Sequence, residues 1–525
     1  MNEPSQPPLP ARWQVFIALL VLGGSALRFV SLAKKPYWHD ETYTALRVSG
    51  YDQHDDAEPR LYTGQVVTCG DFQIFQRANW EKSAIDTARG LARKEPQLPP
   101  GYFVAARTAD HLMGDTVTAT RGLSAVCAVL TLPALFWLCL EWSGSRRAAW
   151  MAMGLAAVSP LFVRYAQEAR PYSMWLLLVL LANVAFLRMI RNPGRKNWSL
   201  YALWLTLALY THLLSVLTMA AHGVYLVVSG TWRSARVRRS CLIASASAAL
   251  LFAPWVGVVL LKKKTAVATT SHLSRPLPLG ELVERWAQAV NSLLPGWPVS
   301  HPAAVLVAVP VTLLVLYALY ALYRDTSRDT WLYLFLLIGV SAGPFLLWDL
   351  ALGGQRSVRP RYMLPAYLGA LVAVAHLLAG RVRGRLWQSL VLAVLLTGLV
   401  SSAASVRGET WWGLSEVEVD LARILNQSPR PLVISDVPFG VIAPLSHRVH
   451  PEVGFLLTRR PSDLEIPAGY EPVYVYQPSD QLRGVFEHRP GWILFPTYEK
   501  AREDGTVFSL FQVVRQRKAE ISGDE

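Results

Sequence analysis

Charge is scarce in this sequence: 17% of its 525 residues are Asp, Glu, Lys or Arg, 52% are hydrophobic, and the mean hydropathy is +0.26. That balance excludes an ordinary soluble protein of this size. Cysteine is also rare, with four residues, of which Cys127, Cys139 and Cys241 fall in apolar runs and Cys69 stands alone in a polar loop. The spacing gives neither a disulfide framework nor a metal-ligand pattern. Acidic residues are fewer than basic ones, 37 against 51, leaving a net charge of +14. A nucleic-acid module would gather its Lys and Arg into one patch on a soluble fold. Here they sit in short loops between apolar runs, where they set membrane topology, and nucleic acid is excluded as a partner. No small-residue cleavage site follows the first apolar run, residues 13–30, so it is expected to stay as a helix rather than be removed as a signal peptide.

What is present is a series of apolar runs, each long enough to cross the roughly 30 Å hydrocarbon core, up to about residue 403. They predict a polytopic α-helical membrane protein with about eleven spans. These lie near 12–32, 119–140, 147–163, 171–190, 199–212, 214–230, 240–261, 302–323, 331–348, 361–379 and 386–403. Residues 198–228 could instead form one helix, but at about 1.5 Å per residue it would be roughly 45 Å long, well beyond the apolar core. Splitting it at Tyr210-Thr211-His212 places two basic loops on one side, the first with Arg188, Arg191, Arg195 and Lys196, the second with Arg233, Arg236, Arg238 and Arg239. The positive-inside bias then puts the N-terminus in the cytoplasm and the C-terminus outside. Nineteen Trp and twenty Tyr suit a protein anchored in a lipid bilayer.

The expected organisation is a transmembrane domain over residues 1–404 followed by a small extracytoplasmic α/β domain over 405–525. The long polar segment 33–118 is the first outer loop, expected to carry short helices on the membrane surface. In the last domain the pattern predicts a helix at 416–426 and strands at 431–437, 472–476, 492–496 and 507–514.

Candidate chemistry concentrates in the outer segments. Tyr37-Trp38-His39-Asp40-Glu41 follows the first span, and adjacent carboxylates are costly to keep beside hydrocarbon, which makes Asp40 and Glu41 functional candidates. A solvated acidic pair at a helix end is the plain alternative. A carboxylate here could act as general base on an acceptor hydroxyl or hold a divalent cation against phosphate; the residues leave both roles open and require no cofactor. The second cluster is Arg164 to Tyr172, in which Gln167, Glu168, Arg170 and Tyr172 could bind substrate or form a structural turn with an Arg–Glu pair. The third is Arg356, Arg359 and Arg361 with Tyr362, at the outer start of the tenth span. Basic residues there run against the positive-inside trend, and the planar guanidinium fork suits phosphate oxygens. A lipid phosphate is the natural ligand at that depth. His212, at the proposed turn, is a further candidate beside a structural hydrogen-bonded role.

Taken in order, Trp38-His39-Asp40-Glu41, Pro99-Pro100-Gly101-Tyr102, Met113-Gly114-Asp115 before Arg121, Tyr165 to Tyr172, Tyr210-Thr211-His212 and Arg359-Pro360-Arg361-Tyr362-Met363-Leu364-Pro365 form a recognisable series. Over roughly residues 12–400 the chain resembles the bacterial family 39 glycosyltransferases, members of the GT-C membrane superfamily with the protein O-mannosyltransferases and the lipid A aminoarabinose transferases. The resemblance implies a polyprenyl-phosphate-sugar donor, a lipid, glycan or protein acceptor, and transfer with inversion on the extracytoplasmic face of the bacterial inner membrane. It also implies Asp40 as catalytic base, Glu41 as its support, Arg359 and Arg361 on the lipid phosphate, and Tyr102 among the substrate contacts. Leu98 stands where the family usually has His before the two prolines. Two other classes compete with this reading. A transporter or lipid-carrier flippase should carry helix-breaking positions near the midplane in related halves, and the sequence shows no such repeat. A non-enzymatic envelope-assembly protein would use residues 405–525 as a binding module.

Overall fold

In hydrocarbon the backbone has no water to bond with, so an apolar run satisfies its N–H and C=O groups by coiling. The computed structural model describes residues 8–114, 117–296, 301–411, 415–501 and 506–515. Asp115 of the Met113-Gly114-Asp115 motif lies outside the described residues. The chain divides into two compact units. One is made of residues up to Leu32, Leu91–Ala109 and Val117–Arg407, the other of Ala33–Gly90, Asp110–Thr116 and residues from Gly408 on.

The first unit is helical. Among the described residues, seven helices are long and apolar enough to cross a membrane: Val117–Ser143, Tyr172–Arg191, Ala235–Leu261, Val305–Asp325, Arg328–Leu352, Leu364–Arg381 and Arg385–Arg407. The helices Arg146–Val158 and Pro160–Ala166, bent by 62°, make an eighth if taken together. The run expected at 147–163 is therefore broken, and Pro160 is the cause: it has no N–H to donate and its ring clashes with the preceding turn. The break is sewn to residues 292–293, with Ser159 Oγ donating to Leu293 O at 2.7 Å and Leu161 N to Ser292 O at 2.9 Å. The other expected spans fall on the shorter helices Ala11–Leu27, Arg195–Thr211 and Ser215–Val228. Residues 198–228 are thus two helices, interrupted at 212–214.

Glycine sets how closely the first helix packs. A Cβ on Gly24 would lie 2.3 Å from Ala157 O, and one on Gly154 would lie 2.9 Å from the Ile17 side chain. Small residues at such a crossing let two backbones approach. Next to it, buried Arg28 donates to Gly24 O at 2.7 Å, Ala157 O at 2.8 Å and Ala156 O at 2.9 Å.

The second unit is built on one six-stranded sheet in the order β1-β3-β2-β4-β6-β5. The strands are β1 Thr63–Val67, β2 Leu432–Ser435, β3 Gly454–Thr458, β4 Val473–Tyr476, β5 Trp492–Ala501 and β6 Val507–Arg515. β2 runs parallel to both β3 and β4, whereas β1, β6 and β5 join antiparallel. Every residue of β2 and β3 is buried, as expected of parallel strands covered on both faces. Alternation along the strands divides the core: Val433, Phe455, Leu457 and Tyr474 join one cluster with Phe72 and Phe439, while Leu432, Ile434, Leu456 and Val475 join another with Leu482 and Phe486. The helix Glu416–Leu425 buries Val417, Leu421 and Leu425 in the first cluster.

Adjacent glycines give a controlled test of the helix crossing. Gly24→Ala should cost about 1–3 kcal/mol through overpacking and lower the melting temperature in detergent. Gly23→Ala, where an added Cβ meets nothing within 4 Å, should leave that temperature unchanged or slightly raised. Equal effects of the two substitutions would rule out close approach at Gly24 as the constraint.

Candidate active site

The acidic pair opens a helix of the sheet unit. Trp38 caps the helix His39–Ser49, its carbonyl accepting from Glu41 N at 2.9 Å and Thr42 N at 3.0 Å, so Asp40 and Glu41 occupy the first turn. Carboxylates are favoured there because the free N–H groups and the helix dipole present positive charge. Gly50, at φ 83°, ends the helix in the left-handed conformation. Asp40 is half-buried and Glu41 is 1% exposed. The rest of the helix is held firmly: Leu46 lies in the aromatic cluster, Arg47 pairs with Asp52 at 3.2 Å, and the Tyr43 ring lies against Gly440, where a Cβ would come within 2.4 Å of it. Upstream, buried Lys35 lies 4.2 Å above the Trp411 ring.

The second and third clusters belong to the helical unit, and parts of them meet there. Glu168 is 1% exposed and accepts from Arg164 Nε at 2.9 Å. Tyr165 and Tyr172 meet edge to face at 5.2 Å. Trp175 stacks on His212 at 4.4 Å, and Tyr172 reaches the same imidazole at 6.2 Å. Arg170 lies 5.7 Å from the Tyr172 ring and Arg361 lies 5.3 Å from that of Tyr362. Arg361 acts electrostatically on Arg164, Tyr165 and His212, and Arg170 also acts on His212. Segments distant in sequence therefore gather guanidinium groups and rings in one place.

Tyr102 is joined to this group through a hydroxyl. Its buried OH lies 3.1 Å from Ser124 Oγ, which donates to Arg170 O at 3.3 Å. The preceding Gly101 is required by packing, since a Cβ there would be 2.7 Å from Tyr210 O. That contact links the Pro99-Pro100-Gly101-Tyr102 motif to Tyr210-Thr211-His212.

Other candidates have structural duties. Gln167 donates its amide to Leu27 O and Val30 O, both at 2.8 Å, and so caps the end of the first helix. Arg356 donates to Leu273 O at 3.2 Å and Ser274 Oγ at 2.7 Å, and stands 3.8 Å from Asp349. Arg359 donates to Gln355 Oε1 at 2.9 Å, and Gln355 donates to His272 O at 2.9 Å. Asp349, which the sequence reading did not single out, organises this loop: its buried carboxylate accepts from Ser357 N at 2.6 Å and Ser357 Oγ at 2.7 Å. The only sequence signal for it is an acid at the end of a long apolar run. A Cβ on Gly354 would lie 2.5 Å from Asp349, so the tight turn depends on glycine. Among the described residues, no group of three or more His, Cys, Asp or Glu side chains could hold a metal ion.

Residues 97–257 match the family model of the dolichyl-phosphate-mannose-protein mannosyltransferases. No curated protein sequence matches the chain significantly. ArnT from Cupriavidus metallidurans bound to undecaprenyl phosphate is similar in structure, with a TM-score of 0.55 at 12% identity over 96% of this chain and 98% of that one. Its apo state gives the same TM-score and identity over 95% of this chain. An Archaeoglobus fulgidus oligosaccharyltransferase in its apo form aligns at a TM-score of 0.49 and 10% identity, over 97% of this chain and 75% of that one. The chain therefore has the GT-C fold seen in ArnT and is related, through residues 97–257, to the dolichyl-phosphate-mannose-protein mannosyltransferases.

Proposed function

We propose that the protein is a membrane glycosyltransferase that moves a sugar from a polyprenyl-phosphate carrier to a cell-envelope acceptor on the extracytoplasmic face of the inner membrane. The observation that carries this reading is the gathering of Arg164, Arg170 and Arg361 around Tyr165, Tyr172 and His212. Arg164 is balanced by Glu168, so Arg170 and Arg361 bring the further positive charge to the cluster, an arrangement suited to an anion such as a lipid phosphate. The fold it shares with ArnT, a protein solved with undecaprenyl phosphate, supports the same ligand class.

In this reading Asp40 is the general base. Its carboxylate takes the proton of an acceptor hydroxyl, whose oxygen attacks the anomeric carbon while the bond to the lipid phosphate breaks. Glu41, in the same helical turn, supports Asp40. The departing phosphate gains charge in the transition state, and fixed guanidinium groups such as Arg361 stabilise it most at that moment. Tyr102, Tyr172 and Tyr362 shape the substrate contacts, while Asp349 positions the loop bearing Arg356, Arg359 and Arg361.

Substitutions at three positions test these roles, each in membranes with matched protein levels and radiolabelled polyprenyl-phosphate sugars as donors. Asp40→Asn should reduce turnover about 10²–10⁴-fold with little change in donor KM. Wild-type consumption by this variant would remove Asp40 as base. Arg361→Ala should lose about 10²–10³-fold in kcat/KM, and Arg361→Lys should recover only part, because lysine lacks the planar fork. Asp349→Asn should misplace the arginine loop and lower kcat/KM by up to about 100-fold, mainly through donor KM. An unchanged KM there would mean that the loop does not hold the donor.

A further inference from the structure

The sheet unit carries a crevice that the transferase reading leaves unused. In the sheet, β2 lies between β3 and β4 and is parallel to both. The chain leaves β2 for β3 on one side, then crosses to β4 on the other. Connections from β2 and β4 thus depart in opposite directions, which opens a crevice outside the carboxyl ends of those two strands. In open α/β sheets this topological switch point is where ligands bind. Here it is a groove of about 790 Å³, lined by Asp436, Val437 and Pro438 just after β2 and by Gln477, Pro478 and Ser479 just after β4. Its volume falls within the roughly 300–1,000 Å³ of small-molecule sites.

The strand ends are held in place by side chains. Asp436 accepts from Ser479 N at 3.1 Å and also from Ser479 Oγ, joining the two loops. Gln477 adopts a left-handed φ of 48°, unusual for a residue with a Cβ. Its amide holds that conformation by donating to Val507 O at 2.7 Å and accepting from Ser509 N at 3.0 Å. Further out, the Arg483 guanidinium lies 4.9 Å from the Phe511 ring, with Glu499 also on the wall.

The chemistry of the wall selects the ligand. The wall carries two carboxylates, Asp436 and Glu499, and one guanidinium, Arg483, so an anion such as phosphate is disfavoured. Planar carboxylate and guanidinium groups pair well with neighbouring hydroxyls, and the exposed Glu499 and Arg483 supply one of each. Pro438, Pro478 and Pro496 supply apolar surface for the C–H faces of a ring. We propose that this crevice between the carboxyl ends of β2 and β4 binds a neutral oligosaccharide.

Saturation-transfer NMR and affinity titration of the purified full chain in detergent, with maltotriose, mannotriose and chitotriose as probes, test the assignment. At least one trisaccharide should bind, and both Glu499→Gln and Arg483→Ala, exposed changes that should leave the melting temperature unaltered, should weaken it about tenfold or more. Glu499→Gln and Arg483→Ala should leave polyprenyl-phosphate-sugar turnover unchanged, which separates this site from the transferase reading. The proposal is overturned if no trisaccharide binds, if neither wall substitution weakens binding, or if inorganic phosphate or a short peptide binds at this wall in preference to the sugars.

Discussion

Backbone that leaves the helix in a membrane-embedded segment must find its hydrogen bonds inside the protein, and the helical unit is arranged around that requirement. Pro160 ends the helix Arg146–Val158 and leaves its last carbonyls without intrahelical partners. Each is met by a side chain: Ala156 O and Ala157 O by Arg28, and Val158 O by Ser402. Beyond the break, Ser159 and Leu161 bond to residues 292–293, and Gln167 reaches back to the end of the first helix. The stretch from Ser159 to Pro171 is thus held from three directions, and this is the stretch that sets Arg164, Tyr165, Glu168 and Arg170 beside His212 and Arg361.

In the sheet unit the corresponding constraint is burial on both faces. β2 and β3 have no solvated side, so a helix or loop must cover each face, and the polar segment Ala33–Gly90 supplies part of the cover. Phe72 and Phe75 from that loop pack with Phe439 and Phe455, and β1 adds a strand beside β3. The helix bearing Asp40 belongs to the same arrangement, because Leu46 enters this cluster about two turns along the helix from solvent-facing His39. The direction of its acidic first turn is therefore set by core packing, which lets a half-buried carboxylate keep a fixed place.

Much of this was legible in the sequence because lipid restricts the possible structures. An apolar run of span length has one regular solution, so the runs could be assigned to helices, and the charges of the flanking loops placed the interruption near His212 correctly. The bend at Pro160 was harder to see. Its proline was visible, but Ser159, Leu161 and their partners at residues 292–293 are more than 130 positions apart in the chain. The strands β2, β4, β5 and β6 follow from β-rich runs between turn residues, whereas β3 was not anticipated and β1, Thr63–Val67, is half polar. Edge pairing of such a short strand depends on a partner far along the chain, which local pattern does not reveal. At the candidate site, residue types pointed to phosphate chemistry, but the partners each arginine finds are a matter of tertiary contact.

That division among the arginines changes what the anomaly of basic residues near residue 360 means. Basic residues gathered in one loop call for a reason, and this loop gives more than one. Arg356 donates to Leu273 and Ser274 beside Asp349, so its charge serves to fasten the loop. Arg359 braces Gln355, which is itself tied to His272. Arg361 also acts within the helical unit, its charge being felt at Arg164, Tyr165 and His212, residues contributed by other segments. A loop fastened at one end loses conformational freedom along its length, so anchoring by Arg356 and Asp349 also restricts where Arg361 can stand. The order of these residues in sequence, anchors first and the cluster-facing arginine last, follows from that division: the loop is secured where it leaves the Arg328–Leu352 helix and presents its charge just before the Leu364–Arg381 helix begins.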